Sequence, residues 1–176
     1  MVRTAMLSLV ALVLMFATSF AATGAVQYQS VVCNGVSVPR FVVTADLPMA
    51  HGFSWSLYAQ TDRDWSEAYV GPAYTPTSWS QIGIQFGTEA YTKVTRKAAF
   101  VWIGQKSMSV LALVEDGGSD RFTAMDAKYS AKKIAAGYVY DTILGHGAKV
   151  AMTVSSYTLS ASTQERGQKL IIQYNF

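Results

Sequence analysis

The sequence predicts an all-β fold, a closed antiparallel up-and-down β-barrel of about eight strands, preceded by a cleaved signal peptide. Segments in which apolar and polar residues alternate recur from Phe41 to the end of the chain. Clusters of Gly, Pro, Asp and Ser separate these segments, which is typical of antiparallel strands joined by turns. Beyond the N-terminal segment no apolar run reaches the ~20 residues that a spanning helix needs, so an inner-membrane helical bundle is excluded.

The N-terminal segment has the layout of a secretory signal. Arg3 precedes an apolar run over residues 5–16 that only Ser8 interrupts, and small residues follow at 17–22. The run is shorter than the ~20 apolar residues of a membrane-spanning helix. Cleavage after Ala21 leaves one β-barrel domain, residues 22–176, and cleavage after Ala25 is the second possibility.

The strands follow from the alternation. Phe53, Trp55 and Leu57 share one face of a segment whose other face carries Ser54 and Ser56. We expect strands at 41–47, 53–60, 67–73, 81–87, 98–105, 107–115, 132–141, 149–159 and 169–176, of which 41–47 and 67–73 are the weakest. The domain has about 155 residues, so ten strands would be cramped against the ~9–11 residues of each crossing. Eight strands fit, with one weak segment not a full crossing.

The last strand carries a family resemblance. Leu170, Ile172, Tyr174 and Phe176 lie on one face, and the chain stops on the aromatic residue. This ending resembles the closing strand of small Gram-negative outer-membrane β-barrel proteins. The resemblance implies an outer-membrane location and a terminal signal, formed by these four residues, that the barrel-assembly machinery reads. It also implies contact with outer-membrane lipid and lipopolysaccharide.

A location in lipid has consequences for the strands. An open sheet edge would leave backbone N–H and C=O groups unpaired there, so the sheet must close. The apolar strand faces carry no charge, as expected where a Lys or Arg at the bilayer midplane costs ~2–4 kcal/mol. Interfacial girdles could form from eight aromatics, although ordinary β-propensity also explains them: Trp55, Trp79, Trp102, Tyr138, Tyr140, Tyr157, Tyr174 and Phe176.

The connections can be assigned to sides of the membrane if Phe176 lies at the periplasmic edge. Gly104–Ser107 and Asp141–Ala148 then fall on the periplasmic side. The longer connections Glu115–Lys128, Thr88–Lys97 and Ser160–Gln168 fall outside. Short inner turns and longer outer loops are typical of spanning barrels.

Charge and chemistry-bearing residues exclude several classes. After loss of Arg3 the chain has 13 basic against 11 acidic residues, too balanced to indicate a nucleic-acid partner. Cys33 is the only cysteine, so no intramolecular disulfide forms. His51 and His146 both lie in Gly-containing segments that predict solvated turns. No catalytic constellation, cofactor motif or strong metal motif is visible, and no Gly-x-Ser-x-Gly elbow occurs.

One acidic loop is a weak candidate for a cation site. Glu115, Asp116 and Asp120 surround two glycines, and hard cations prefer oxygen ligands, but a flexible solvated turn explains the same residues. Lys128, Lys132 and Lys133 follow, and could meet lipid phosphates at the outer surface or form a solvated charge cluster.

Three functional readings remain. The first is a small outer-membrane barrel that has either a structural or interaction role or a role in transport through a narrow lumen. Its partner, if it has one, is an unknown extracellular or periplasmic molecule. The second is a soluble periplasmic or secreted calycin-like barrel that binds an apolar small molecule. A lipid-modifying barrel enzyme is a minor third. Interior apolar positions fit a ligand pocket or a filled lumen equally: Phe100, Trp102, Leu111, Leu113, Val139 and Ile171.

Overall fold

A computed structural model of the chain describes residues 22–90, 94–117 and 121–176. Within these ranges twelve antiparallel strands form one closed barrel, and the predicted signal peptide, residues 1–21, lies outside them. The strands are β1 (Thr23–Cys33), β2 (Val36–Pro48), β3 (Phe53–Thr61), β4 (Ser66–Thr77), β5 (Ser80–Glu89), β6 (Thr95–Gln105), β7 (Met108–Gly117), β8 (Phe122–Ala131), β9 (Ile134–Asp141), β10 (Gly145–Val154), β11 (Tyr157–Gln164) and β12 (Gly167–Asn175). A short 3₁₀ turn, Ala50–Gly52, joins β2 to β3.

The barrel closes between its first and last strands. Each strand pairs with its neighbours in sequence, and β1 pairs with β12 from Ala25 opposite Asn175 to Cys33 opposite Gly167. The backbone N–H groups of Gly24 and Phe176 each donate to the other residue's carbonyl at 3.1 Å. The predicted closed up-and-down topology is therefore confirmed.

The expected number of eight strands is wrong. Three strands were not predicted: β1 precedes the first expected strand although Asn34–Gly35 marks its turn, β8 falls largely in the expected connection Glu115–Lys128, and β10 and β11 were expected as one strand. Lys132 (φ 56°) and Ser155 (φ 55°) adopt left-handed backbone conformations in the turns that follow β8 and β10. Asn or Gly usually marks such turns, so the residue types of Lys132–Lys133 and Ser155–Ser156 do not indicate a turn.

We call the end of the barrel that carries Phe176 the terminal end, and the opposite end the distal end. The terminal end carries Phe176 and the connections 49–52, 78–79, 106–107, 132–133 and 155–156. The distal end carries the connections 34–35, 62–65, 142–144 and 165–166, together with the ends of β5 at Glu89 and β7 at Gly117. The assignment of Asp141–Ala148 to the Phe176 side is wrong, because the unrecognised turn at 155–156 reverses the direction of the chain. The second unrecognised turn, 132–133, restores the direction, so the other assigned connections lie on the expected sides.

The outer and inner faces of the barrel have opposite polarity. Outward side chains are largely apolar and exposed: Phe53, Trp55, Val70, Tyr74, Ile82, Ile84, Phe86, Val101, Ile103, Met108, Val110, Tyr129, Ile134, Val150, Met152, Leu159, Leu170 and Ile172. In the described strands the outward charged residues are Lys97 and Asp116, which are register partners near the distal end. No described helix is long and apolar enough to cross a membrane.

Candidate functional site: the barrel lumen

The polar side chains of the strands point into the lumen, because residues with two-residue spacing share one face of a strand. They form two regions. We call Glu67, Glu89, Arg96, Glu115 and Tyr69 the Arg96 cluster; it lies on strands β4–β7 near the distal end. We call the second region the lysine cavity; it lies along β7–β12 and contains the pairs Asp126–Lys149 and Asp141–Lys169.

The Arg96 cluster places one guanidinium among three carboxylates. Arg96 Nη1 donates to Glu89 Oε2 at 2.7 Å, and Arg96 Nη2 lies 3.5 Å from Glu115 Oε2. Arg96 Nε lies 3.8 Å from Glu67 Oε2. The Tyr69 hydroxyl lies within hydrogen-bonding distance of both Glu67 Oε2, at 3.0 Å, and Glu115 Oε2, at 3.2 Å. A single basic group thus holds together carboxylates from three strands.

Further contacts bury the cluster. Gln60 Nε2 donates to Glu67 Oε1 at 2.7 Å, and the Tyr58 hydroxyl donates to Gln60 Oε1 at 2.7 Å. The Trp65 ring, in the connection between β3 and β4, has its centroid 5.5 Å from the Arg96 guanidinium. The ionic side chains of the cluster are at most 5% exposed. Side chains therefore fill this side of the distal lumen.

The lysine cavity leaves open space on the other side. It has a volume of about 170 Å³ and is lined by residues of β7 to β12. Lys149 Nζ donates to Asp126 Oδ2, and Lys169 Nζ lies 3.5 Å from Asp141 Oδ2. These side chains are 8–30% exposed. Each lysine has its own carboxylate, and three of the four side chains are partly accessible from the lumen.

Asp141 is also fixed by the turn beside it. Its Oδ1 accepts from the backbone N–H groups of Ile143 and Leu144, at 3.0 and 2.7 Å. Its Oδ2 accepts from Gln164 Nε2 at 3.2 Å. With Lys169 added, both carboxylate oxygens have partners. Asp141 therefore organises the connection at 142–144 as well as the cavity wall.

An apolar strip lies next to these charges. Leu111, Leu113, Val139 and Ile171 line the lysine cavity, which agrees with their predicted interior position. Leu111 and Val139 are the register partners of Asp126 on the two neighbouring strands. The cavity thus presents charged and apolar groups at adjacent positions of one lumenal face.

Two large aromatic rings lie against glycines on the wall formed by β5 and β6. A Cβ atom at Gly83 would overlap the Phe100 ring, and one at Gly104 would overlap the Trp102 ring. Phe100 and Trp102 are inward positions of β6, as predicted. The further assignment of Trp102 to an interfacial girdle is wrong for this reason. The glycines let the rings lie flat against the wall.

The predicted terminal signal is brought onto one surface. Leu170, Ile172 and Tyr174 point outward on β12 and are 40–50% exposed. Phe176 follows at the same spacing, and its ring centroid lies 6.5 Å from that of Tyr174. Their role in assembly stays a prediction. Cys33 ends β1 beside the turn at 34–35.

The candidate cation site is not assembled by the described residues. Glu115 points into the Arg96 cluster, whereas Asp116 points outward, and Asp120 lies outside the described residues. Among the described residues no three His, Cys, Asp or Glu side chains are arranged to hold a metal ion. A cation site at this loop stays a prediction.

Two other expectations need correction. Lys132 and Lys133 form a turn at the same end as Phe176, whereas the connection between β7 and β8, which was expected at Glu115–Lys128, lies at the opposite end. His146 is a strand residue of β10 and not a turn residue. Its Nδ1 is hydrogen-bonded to the Tyr138 hydroxyl, and its ring centroid lies 4.7 Å from that of Tyr140. His51 does lie in a turn.

Apart from Glu115, the ionic residues of the lumen were not predicted from the sequence. Glu67 and Lys149 are each the single Asp, Glu, Lys or Arg residue of their strand, whereas Arg96 is followed by the outward Lys97. All three occupy positions that alternate with outward side chains. This alternation with outward apolar residues is the signal that could have identified the three charged residues as lumenal. Their grouping could not be read from the chain, since Tyr69 and Glu115 meet across 46 residues.

Two solved structures share this architecture. One, described as a KdgM porin, has a TM-score of 0.59 and 14% sequence identity, and the match covers 88% of this chain and 99% of that chain. The other, described as the KdgM porin in complex with disordered oligogalacturonate, matches with the same values. No family model matches the chain, and no curated protein matches it. At this identity the likeness concerns the fold.

Proposed function

We propose that the chain is a small outer-membrane channel protein with a narrow lumen. The observation that carries the proposal is the polarity of the closed barrel, which has exposed apolar side chains outside and ionic side chains inside. A membrane barrel needs this arrangement because its outer face meets hydrocarbon and its interior meets water. The KdgM porin structures support the same reading at the level of fold.

The soluble calycin-like alternative is not favoured. A soluble barrel packs its apolar side chains inside and exposes polar ones. Here Ile84 and Phe86 are each 51% exposed on the outer face, whereas Gln85 between them is 5% exposed in the lumen. The apolar strip in the lysine cavity is therefore part of a mainly polar interior.

The lumen supports passage of small solutes only. Barrels of eight strands have interiors that side chains fill, whereas barrels of 16–18 strands contain aqueous channels. Twelve strands lie between these limits, and the Arg96 cluster occupies part of the distal cross-section. We propose that solutes pass along the opposite wall, beside the lysine cavity.

The lumenal charges favour solutes without a high negative charge. One of the solved KdgM porin structures is described as a complex with oligogalacturonate. In the present lumen Arg40, Arg96, Lys149 and Lys169 each lie within 3.5 Å of a carboxylate oxygen. Because these four cations are already compensated, which leaves Lys128 as the further inward cation of the described strands, we propose that a long polyanion is a poor solute for this barrel.

Export and assembly complete the proposal. We propose that a signal peptide is removed after Ala21, because β1 begins at Thr23 and cleavage after Ala25 would remove residues that pair with β12 and β2. We further propose that the β12 face ending at Phe176 is read by the barrel-assembly machinery of a Gram-negative cell. Outer-membrane lipid and lipopolysaccharide would then surround the apolar outer face.

Membrane assembly is tested in cells that express the full chain. We expect the protein to stay in the outer-membrane fraction after carbonate washing, and its gel mobility to differ between unheated and boiled detergent samples. Deleting Phe176 should reduce the heat-shifted form, whereas Asn175→Ala, which keeps the terminal ring, should preserve it. Recovery of the unmodified chain in the soluble fraction would contradict the proposal, and normal assembly without Phe176 would remove the terminal signal.

Channel function is tested by reconstituting the folded protein in planar bilayers. We expect stepwise KCl conductance from the unheated sample and none from the same sample after boiling. Insertion without conductance would favour the structural or interaction role, in which the side chains in the distal lumen block the passage of ions.

A further inference from the structure

We infer that the lysine cavity is a binding site for a small zwitterion that carries an apolar group, the chemistry of an apolar amino acid. The inference rests on the proposed channel function, because the cavity lies inside the lumen. Its lining combines a carboxylate, an ammonium group and an apolar strip within about 170 Å³.

In the described part of the chain, one oxygen of the Asp126 carboxylate has no hydrogen-bond partner. Lys149 donates to Oδ2, whereas Oδ1 is buried and has no hydrogen-bond partner among the described residues. A buried acceptor without a partner costs free energy, and a donor that reaches it recovers that free energy. The ammonium group of a zwitterion is such a donor, and its charge complements the carboxylate.

Lys149 supplies the opposite charge. Its ammonium group has three N–H donors, and one of them donates to Asp126. The carboxylate of a bound zwitterion can accept from the remaining donors. The side chain is 18% exposed, so a solute in the lumen can reach it. Ser162, the register partner of Lys149 on β11, adds a hydroxyl to the same wall.

The Asp141–Lys169 pair has less capacity to form hydrogen bonds with a solute. Both oxygens of Asp141 already accept hydrogen bonds, from the turn at 142–144 and from Gln164, and Asp141 Oδ2 also faces Lys169. The Asp126–Lys149 pair is therefore the one that can exchange part of its bonding with a solute. A solute with both signs of charge can do so without leaving either partner uncompensated.

The apolar strip gives the site its preference among zwitterions. Leu111 and Val139 flank Asp126 on the neighbouring strands, and cross-strand partners on one face lie about 5 Å apart. Leu111 is 41% exposed although it points inward, so its apolar surface is open to the lumen. An apolar side chain attached to the ammonium-bearing carbon would cover that surface.

The test is calorimetric titration of the full mature barrel, folded in detergent and verified by its heat-dependent gel mobility. The probes are L-leucine, L-leucinamide, 4-methylvalerate and glucose, which are a zwitterion, a cation, an anion and a neutral solute. We expect L-leucine to bind about tenfold or more tightly than each of the others, since only it engages both charges.

Variants separate this site from general charge effects. Asp126→Asn should weaken L-leucine and L-leucinamide, and Lys149→Gln should weaken L-leucine and 4-methylvalerate, in each case with retained heat-dependent mobility. Lys128→Gln removes an inward lysine that does not line the cavity and should change none of the affinities. Equal binding of all four probes, an absence of L-leucine binding by the folded protein, or an equal effect of Lys128→Gln would overturn the inference.

Conductance distinguishes a failure of this inference from a failure of the channel proposal. Conductance without L-leucine binding would leave the channel standing and remove the zwitterion site. Binding with the expected variant pattern but without conductance would support the site and remove the channel.

Discussion

The two ionic regions of the lumen differ in stoichiometry and in access to water. The Arg96 cluster has three carboxylates for one guanidinium, with side chains at most 5% exposed. The lysine cavity has two one-to-one pairs with side chains 8–30% exposed. Removing one partner from a buried ionic network leaves charges that nothing compensates. When one partner of an accessible pair is removed, water solvates the charge that remains. The comparison indicates that the cluster holds the wall together and the cavity remains available to solutes.

The largest expected effect follows from removing the central cation of the cluster. Arg96→Met leaves Glu67, Glu89 and Glu115 buried without the guanidinium between them. We expect the free energy of unfolding, measured by urea denaturation in detergent micelles, to fall by about 3–5 kcal/mol. Lys149→Met is the matched control, and it should cost only about 1 kcal/mol because its pair is accessible. Equal losses would mean that the two regions have the same structural role.

A smaller effect is expected from the hydroxyl that bridges two carboxylates of the cluster. Tyr69→Phe removes a group lying 3.0 Å from Glu67 and 3.2 Å from Glu115. We expect a loss of about 1–3 kcal/mol in the same denaturation experiment, as for other buried groups that lose a partner. Tyr74→Phe, on the outer face of the same strand, should change the free energy of unfolding by less than Tyr69→Phe. An unchanged stability of the Tyr69 variant would show that this hydroxyl is not part of the network.

The sequence predicted the closed barrel and the direction of most side chains, because a period of two residues reports directly which face a residue occupies. Leu111 and Val139 were assigned to the interior in this way. The strand number was wrong partly because Lys132 and Ser155 take left-handed conformations that their residue types do not signal, whereas β1 was missed although Asn34–Gly35 marks its turn. The sequence also could not predict the cluster around Arg96. Its members lie on four strands, and their meeting depends on the register between strands and on barrel closure.

The most direct test of the comparison is the accessibility of single cysteines to a charged thiol reagent during conductance measurements. In a Cys33→Ser background, Ser162→Cys places a thiol in the lysine cavity, and Ser56→Cys places one on the opposite wall, where Gln85 Nε2 donates to Ser56 at 3.1 Å. We predict that the reagent lowers the current through the Ser162→Cys channel and leaves the Ser56→Cys channel unchanged. The reverse pattern would contradict a water-filled path along the lysine cavity.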